Sequence, residues 1–175
     1  MRRRRSDRSH VRLRRVTHPS LGMPPADNNA GHPADAAALR AARQRVAARA
    51  LEAAVGSDPT LRDRYDDLAL RELLADLEAM VDILATSVAT GDPVPMARWA
   101  EAVAVRYRKR RIPMDDVVSL CEGLRRASAA VVTPTAMPAV DAALDASIEV
   151  LLWHRRLAGD ARKRNPLIAF IYKGA

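Results

Sequence analysis

The feature that most constrains the fold is the dipeptide Ile112-Pro113, which separates two amphipathic helical patterns. Apolar side chains recur at three- and four-residue steps on both sides of it, as they do along one face of an α-helix. Proline disfavours helical geometry in the residue before it but suits the first turn of a helix, so one helix should end before Pro113 and another begin there. Asp115 and Asp116 follow in that first turn, where carboxylates complement the positive helix end. We therefore predict that residues 96–128 form an antiparallel helix pair, around which the other helices pack.

The composition favours helices that pack closely together. Alanine supplies much of the apolar content and only 3% of the residues are aromatic, whereas sheets favour aromatic and β-branched side chains. The chain of 175 residues is 49% hydrophobic and 29% charged, as is typical of one globular domain that is stable without cross-links. We predict an all-α fold, a compact bundle of about five helices, over residues 35–165.

Breaks in the apolar pattern divide the rest of the chain into further helices. Residues 35–55 favour a helix, and residues 59–66 favour a short helix or turn. A wide apolar stripe over residues 67–89 indicates a long helix at the centre of the core. A last helix begins near Met137 and is followed by a short apolar tail, residues 166–175, which is too short to span a membrane. This tail could pack on the bundle or contact a partner.

Residues 1–34 carry most of the net charge of +8. The segment has two acids and no apolar periodicity, which predicts a disordered basic arm. Its arginines are Arg2, Arg3, Arg4, Arg5, Arg8, Arg12, Arg14 and Arg15. The arm could attract nucleic-acid phosphates, an anionic membrane surface or an acidic partner; alternatively, translation begins at Met23 and the arm is not part of the protein. It lacks the apolar run of a secretory signal and the chain has a single cysteine, so we expect a cytoplasmic protein without a transmembrane segment.

The sequence offers few residues that could carry catalysis or hold a metal. It contains no Glu-x-x-His pair of a di-iron bundle, no Gly-x-Ser-x-Gly motif, no phosphate-binding glycine loop and no dinucleotide fingerprint. His154 is the one histidine outside the arm, and we interpret it as an ordinary polar residue near a helix end rather than a haem ligand. Cys121 should be a small core residue, and Trp99 and Trp153 should be core anchors. We predict a protein without catalytic activity, metal or cofactor.

A second basic cluster, the elbow, occupies residues 106–111 and places five cations at a predicted helix C-terminus. It could be a solvated face that stabilises the helix end, a docking site for an acidic partner or phosphate, or the entry to a helix-turn-helix. The acidic start of the next helix argues against DNA reading, because carboxylates repel phosphates. The residues that we predict for protein interaction are Arg106, Arg108, Lys109, Arg110, Arg111, Arg125, Arg126, Phe170 and Tyr172.

The same region combines a helix with a tryptophan near its start, a basic stretch, an Ile-Pro dipeptide at which a new helix begins, an acidic pair and a helix that ends in Arg-Arg-Ala. Its residues are Trp99, Arg106 to Arg111, Ile112, Pro113, Asp115, Asp116, Leu120, Leu124, Arg125 and Arg126. This combination resembles the N-terminal helical sensor domain of RsbRD-type RsbT co-antagonists, over about residues 67–160. Members of that family carry glycine before the Val/Ile-Pro, where this chain has Arg111. The resemblance implies a stand-alone sensory module that changes its association with a signalling protein.

The sequence therefore predicts a non-catalytic regulatory domain that acts through protein–protein interaction in bacterial signalling, with self-association as a homodimer left open. A helix pair that shifts on binding would be its mechanism. The alternative is a nucleic-acid-associated protein that uses the arginine arm and the elbow. A haem or small-ligand sensor is a third class, which requires a large apolar cavity near Trp99, Trp153 and His154.

Overall fold

The computed structural model describes residues 31–164, with side chains for residues 31–157, and this part of the chain is helical without strands. The all-α prediction is confirmed. Two features raise the number of described helices above the expected five: the first predicted helix divides at Ala42, and the short segment before α4 is helical. The helices are α1 (Pro33–Ala41), α2 (Arg43–Ser57), α3 (Thr60–Arg64), α4 (Asp67–Thr90), α5 (Val94–Lys109), α6 (Met114–Ser128) and α7 (Met137–Arg164).

The bundle begins earlier than residue 35, inside the segment predicted as an arm. The backbone N–H of His32 donates to the Val88 carbonyl at 2.8 Å. A methyl group on Gly31 would lie 2.1 Å from the Ala89 carbonyl oxygen, so only glycine allows this close approach to the end of α4. Residues 31–34 therefore belong to the folded domain. Residues 1–30 of the arm and the tail at 166–175, with Phe170 and Tyr172, lie outside the described residues.

Helix α4 is the central helix, as its wide apolar stripe predicts. It contacts α1, α2, α5 and α7. The Asp66 side chain caps its start by accepting from the Ala69 N–H at 2.8 Å, and left-handed Gly91 ends it. Its buried residues are Leu73, Leu77, Met80, Val81, Leu84, Ala85, Ser87 and Val88.

Helices α5 and α6 do not form the expected pair, because α7 lies between them and they contact each other little. Helix α7 runs parallel to α5, where the Ser147 hydroxyl donates to the Met96 carbonyl at 2.9 Å. It runs antiparallel to α6, where Arg125 binds Asp141 near the start of α7 and Arg155, more than three turns later in α7, binds Asp115 at the start of α6. The expectation that residues 96–128 fold back on themselves was wrong. Their apolar stripes are buried against α2, α4 and α7 instead.

Small residues bring α6 close to α2. A methyl group on Gly123 would lie 2.2 Å from the Ala50 carbonyl oxygen. On α2, the neighbouring Ala47 and Ala54 are fully buried. Small side chains allow two helix axes to approach closely, so this face of α6 packs against α2 and not against α5.

Helix α5 ends in a Schellman motif centred on Arg111. The Ile112 N–H donates to the Tyr107 carbonyl at 2.9 Å, and the Arg111 N–H donates to the Arg108 carbonyl at 3.1 Å. Arg111 has a φ of 60°, in the left-handed region that favours glycine. Arg111 therefore holds the backbone conformation that glycine adopts most readily.

Candidate interaction surfaces

At the elbow, Arg110 is held by carboxylates of α4. Its guanidinium donates to Asp76 and to Glu72 at 2.6 Å each, and it lies 5.6 Å from the centre of the Tyr107 ring. Burial, together with the nearby Asp76 carboxylate, raises the pKa of the Tyr107 phenol. Arg110 thus joins α5 to α4, and its charge is already neutralised within the fold.

The other four cations of the elbow are exposed. They are Arg106, Arg108, Lys109 and Arg111. The Arg108 side chain donates to the Ala104 carbonyl at 3.3 Å. No ion pair within the described residues involves any of the four, so the interaction hypothesis for the elbow now depends on them and not on Arg110.

Arg125 and Arg126 were predicted to act together, but the fold separates their roles. Arg125 binds three carboxylates, Glu122 at 3.1 Å, Asp141 at 2.7 Å and Asp145 at 2.5 Å. It therefore links α6 to α7. Arg126 is exposed, and among residues 31–157 no ion pair involves it.

The start of α6 contains a buried polar cluster that the sequence does not predict. Asp116 is only 6% exposed and accepts from the Tyr65 hydroxyl at 2.6 Å and from Arg64 at 2.8 Å. The Thr60 hydroxyl, together with Arg64, which donates to Asp58 at 2.7 Å, lowers the pKa of the Asp58 carboxyl. Both carboxylate oxygens of Asp116 accept hydrogen bonds, one from Arg64 and one from Tyr65, so the cluster joins α3 to α6.

His154 is a buried residue rather than one near a helix end, since α7 continues for ten residues beyond it. Its Nε2 lies 3.2 Å from a Glu101 carboxylate oxygen, and the Trp153 ring meets it edge to face at 4.9 Å. The concave surface described below lies beside α1, α2 and the end of α6, and His154 does not line it. Among residues 31–157, no group of three His, Cys, Asp or Glu side chains could hold a metal ion.

Cys121 is fully buried, in agreement with its interpretation as a core residue. Burial raises the pKa of its thiol to about 12. Trp99 is 9% exposed and also belongs to the core. The protonated, inaccessible thiol is a poor nucleophile, because the thiolate is the reactive form.

A concave surface that the sequence analysis missed lies where α1 turns into α2, opposite the end of α6. We call it the arginine groove. It has a volume of about 800 Å³ and a narrower continuation of about 280 Å³ along α2 and α6. In the described part of the chain, no acidic residue lines it. The lining residues are Ala38, Arg40, Ala41, Ala42, Arg43, Gln44, Arg45, Val46, Arg49, Ala127, Ala130 and Val131.

The four arginines of the groove fall into two classes. Arg43 binds Glu78 at 3.5 Å and Asp82 at 3.2 Å, and Arg40 donates to the Thr86 hydroxyl at 3.2 Å. Arg45 and Arg49 are exposed, and neither forms an ion pair or hydrogen bond with another described residue. The groove therefore has one wall anchored to α4 and two cations available to a ligand.

A signal for the groove is present in the sequence. Between Asp35 and Glu52 the chain has four arginines and no acid. Arg40, Arg43 and Arg45 therefore have no acid within four residues along the chain, and Arg49, although Glu52 follows it by three residues, forms no ion pair with a described residue. The helical pattern alone does not reveal the break at Ala42 that makes this surface concave.

Comparison of the chain with protein-family models, curated proteins and solved structures finds no match. Within residues 31–164, no helix has the length and apolar character needed to cross a membrane.

Proposed function

We propose that this chain is a non-catalytic regulatory domain of bacterial signalling that acts by binding another protein. The observation that carries the proposal is the arginine groove, a concave surface with an apolar floor and two exposed arginines that lack acidic partners among the described residues. Proteins commonly recognise helical segments of their partners in a surface groove. Protein interfaces are also enriched in arginine.

The resemblance to RsbRD-type sensor domains supports the signalling part of the proposal. The left-handed conformation of Arg111 fits a position that is glycine in that family. Helix α6 would transmit the binding event, because it lines the groove at one end and is tied to α7 through Arg125. A partner that binds one arrangement of α6 and α7 more tightly than another shifts the population toward it.

Charge reversal in the groove tests the proposal. The variant R45E/R49E should lose its partner after cross-linking in the native cell, with recovery reduced at least about tenfold in quantitative mass spectrometry. The matched control R62E/R98E makes the same change in charge at exposed arginines outside the groove. Equal recovery with all three proteins, each shown to be folded by circular dichroism, would contradict the proposal.

The exposed cations of the elbow favour a second candidate, a nucleic-acid-associated protein. Arg106, Lys109 and Arg111 add to the charge of the arm. Under this alternative, the full chain should be retained on duplex DNA in a salt-sensitive manner, and a chain that begins at Met23 should lose most of that retention. Under the protein-interaction proposal, the shortened chain keeps its partner.

A further inference from the structure

We propose that the ligand of the arginine groove is an acidic amphipathic segment of a partner protein, with carboxylates for Arg45 and Arg49 and apolar side chains for the floor between α2 and α6. This inference rests on the proposed function and assigns a chemical class to its partner. Arg40 and Arg43 are anchored to α4 and shape the wall.

The spacing of the two available arginines defines the charge of the ligand. Arg45 and Arg49 are four residues apart on α2 and both line the narrower part of the groove. Side chains at this spacing are neighbours on a helix surface, with Cβ atoms about 5–6 Å apart, and like charges there repel. Carboxylates on successive turns of a peptide helix have the same spacing, so one segment can neutralise both cations.

The floor of the groove defines the rest of the ligand. It is made of Val46, Ala127, Ala130 and Val131 together with the alanines around Ala42. Val46 and Ala127 are buried within the fold, so the apolar surface that a partner can reach comes from exposed Ala130, half-buried Val131 and the alanines around Ala42. Burial of apolar area would then contribute to binding in addition to the ion pairs.

The same floor argues against a phosphate backbone. A phosphate group would contact the arginines but would leave the apolar floor without a complement. Duplex DNA contacts commonly engage about 6–10 phosphates, whereas the groove offers two cations without intramolecular partners in the described region. A protein segment fits this combination better than a nucleic acid.

Peptide display on the full chain tests the inference. Random peptides of about 16 residues, long enough for four helical turns, are selected on the immobilised full chain alone, so that the selection does not favour any part of its surface. We expect enriched peptides with acidic residues at a spacing of three or four and apolar residues beside them. Their synthetic forms should bind R45E/R49E at least about tenfold more weakly, bind R62E/R98E unchanged, and weaken as salt increases.

A second variant tests the floor without a change in charge. The substitution Ala130→Leu fills the space that both parts of the groove share and should weaken the selected peptides about tenfold, with unchanged thermal stability. Enriched peptides without acids, or affinity insensitive to R45E/R49E, would overturn the inference. Binding of a duplex of about 16 base pairs that is lost in R45E/R49E, with no peptide enriched, would assign the groove to a phosphate backbone instead.

Failure of this inference is distinguishable from failure of the proposed function. If a native partner depends on Arg45 and Arg49 but its cross-linked segment is not acidic, the proposed function holds and the inference fails. If no native partner depends on the groove, the proposed function itself fails.

Discussion

The elbow and the arginine groove each hold one arginine against acids of α4 and expose further cations, but the groove arranges its exposed cations around a concave surface. In the elbow, Arg110 meets Asp76 and Glu72 from α4, more than thirty residues earlier in the chain. In the groove, Arg43 likewise binds Glu78 and Asp82 of α4, whereas Arg45 and Arg49 line the concave surface and meet no acid among the described residues. A dense run of cations therefore does not by itself mark a binding surface. Acids that arrive from distant parts of the chain decide which cations remain available.

The largest predicted effect concerns the framework of the groove. Gly123→Ala places a methyl group 2.2 Å from the Ala50 carbonyl oxygen and forces α6 away from α2. We expect a loss of about 3 kcal/mol in the free energy of unfolding, measured by urea denaturation, and the loss of groove binding. Gly56→Ala is the matched control, because nothing lies within 4 Å of the added methyl group. It should be neutral or stabilising by about 0.5–1 kcal/mol.

The two regions should differ in stability when their arginines are removed. Arg110→Ala leaves Asp76 and Glu72 without their cation and should cost about 1–2 kcal/mol in urea denaturation. Arg45→Ala removes no intramolecular bond to a described residue and should change the free energy of unfolding by less than about 0.5 kcal/mol. Equal losses in the two variants would contradict the distinction between a structural and an available arginine.

Alkaline pH should also affect the elbow more than the groove. Because burial raises the folded-state pKa of Tyr107 above the unfolded value near 10, its contribution to stability is present below about pH 10 and is lost as pH rises further. A group of this kind can lower the free energy of unfolding by up to about 1.4 kcal/mol for each pH unit. Tyr107→Phe should therefore make the decline in unfolding free energy between about pH 10 and 11.5 shallower. Arg45→Ala should leave the pH dependence of the unfolding free energy as it is in the unmodified chain, because this variant keeps Tyr107 together with Cys121 and Tyr65.

The backbone at the elbow offers a stabilising change. Arg111→Gly relieves the left-handed strain and should raise the unfolding free energy by about 1 kcal/mol. Arg111→Ala removes the same charge but keeps a Cβ, so it should give no such gain. A similar gain in both variants would show that charge, and not backbone conformation, sets the stability at this turn.

The smallest predicted effect lies in the groove itself. R45A/R49A removes a like-charge pair and should stabilise the isolated protein by up to about 0.5 kcal/mol at low salt, measured by thermal unfolding. The gain should disappear at high salt because exposed charges are screened. Destabilisation of more than about 1 kcal/mol would indicate that these arginines have structural partners.

Much of the secondary structure follows from the sequence alone. The wide stripe of α4, the restart at Pro113 and the small-residue composition predict the helices and their close packing. The break at Ala42 does not follow, because alanine and arginine favour a helix on both sides of it. The chain before the break docks on the end of α4 through Gly31 and His32, and α2 after it packs on α6, and these tertiary contacts are not encoded in the local pattern.

The apolar stripes of α5 and α6 do not predict which helices pack against them. A periodic stripe shows which face is buried but not which helix covers it. The close approach of Gly123 to Ala50 directs α6 to α2, and the long α7 fills the space between α5 and α6. For the same reason, the sequence suggested equal roles for Arg125 and Arg126, although the three carboxylates around Arg125 come partly from α7.

The central claim is that the groove, and not the elbow, is the binding surface of this domain. The most direct test measures, by fluorescence anisotropy, the affinity of one selected acidic peptide for two variants that carry the same double charge reversal, R45E/R49E in the groove and R106E/K109E in the elbow. We predict at least about tenfold weaker binding to R45E/R49E and a change of less than about threefold for R106E/K109E. A larger loss for R106E/K109E than for R45E/R49E would contradict the claim.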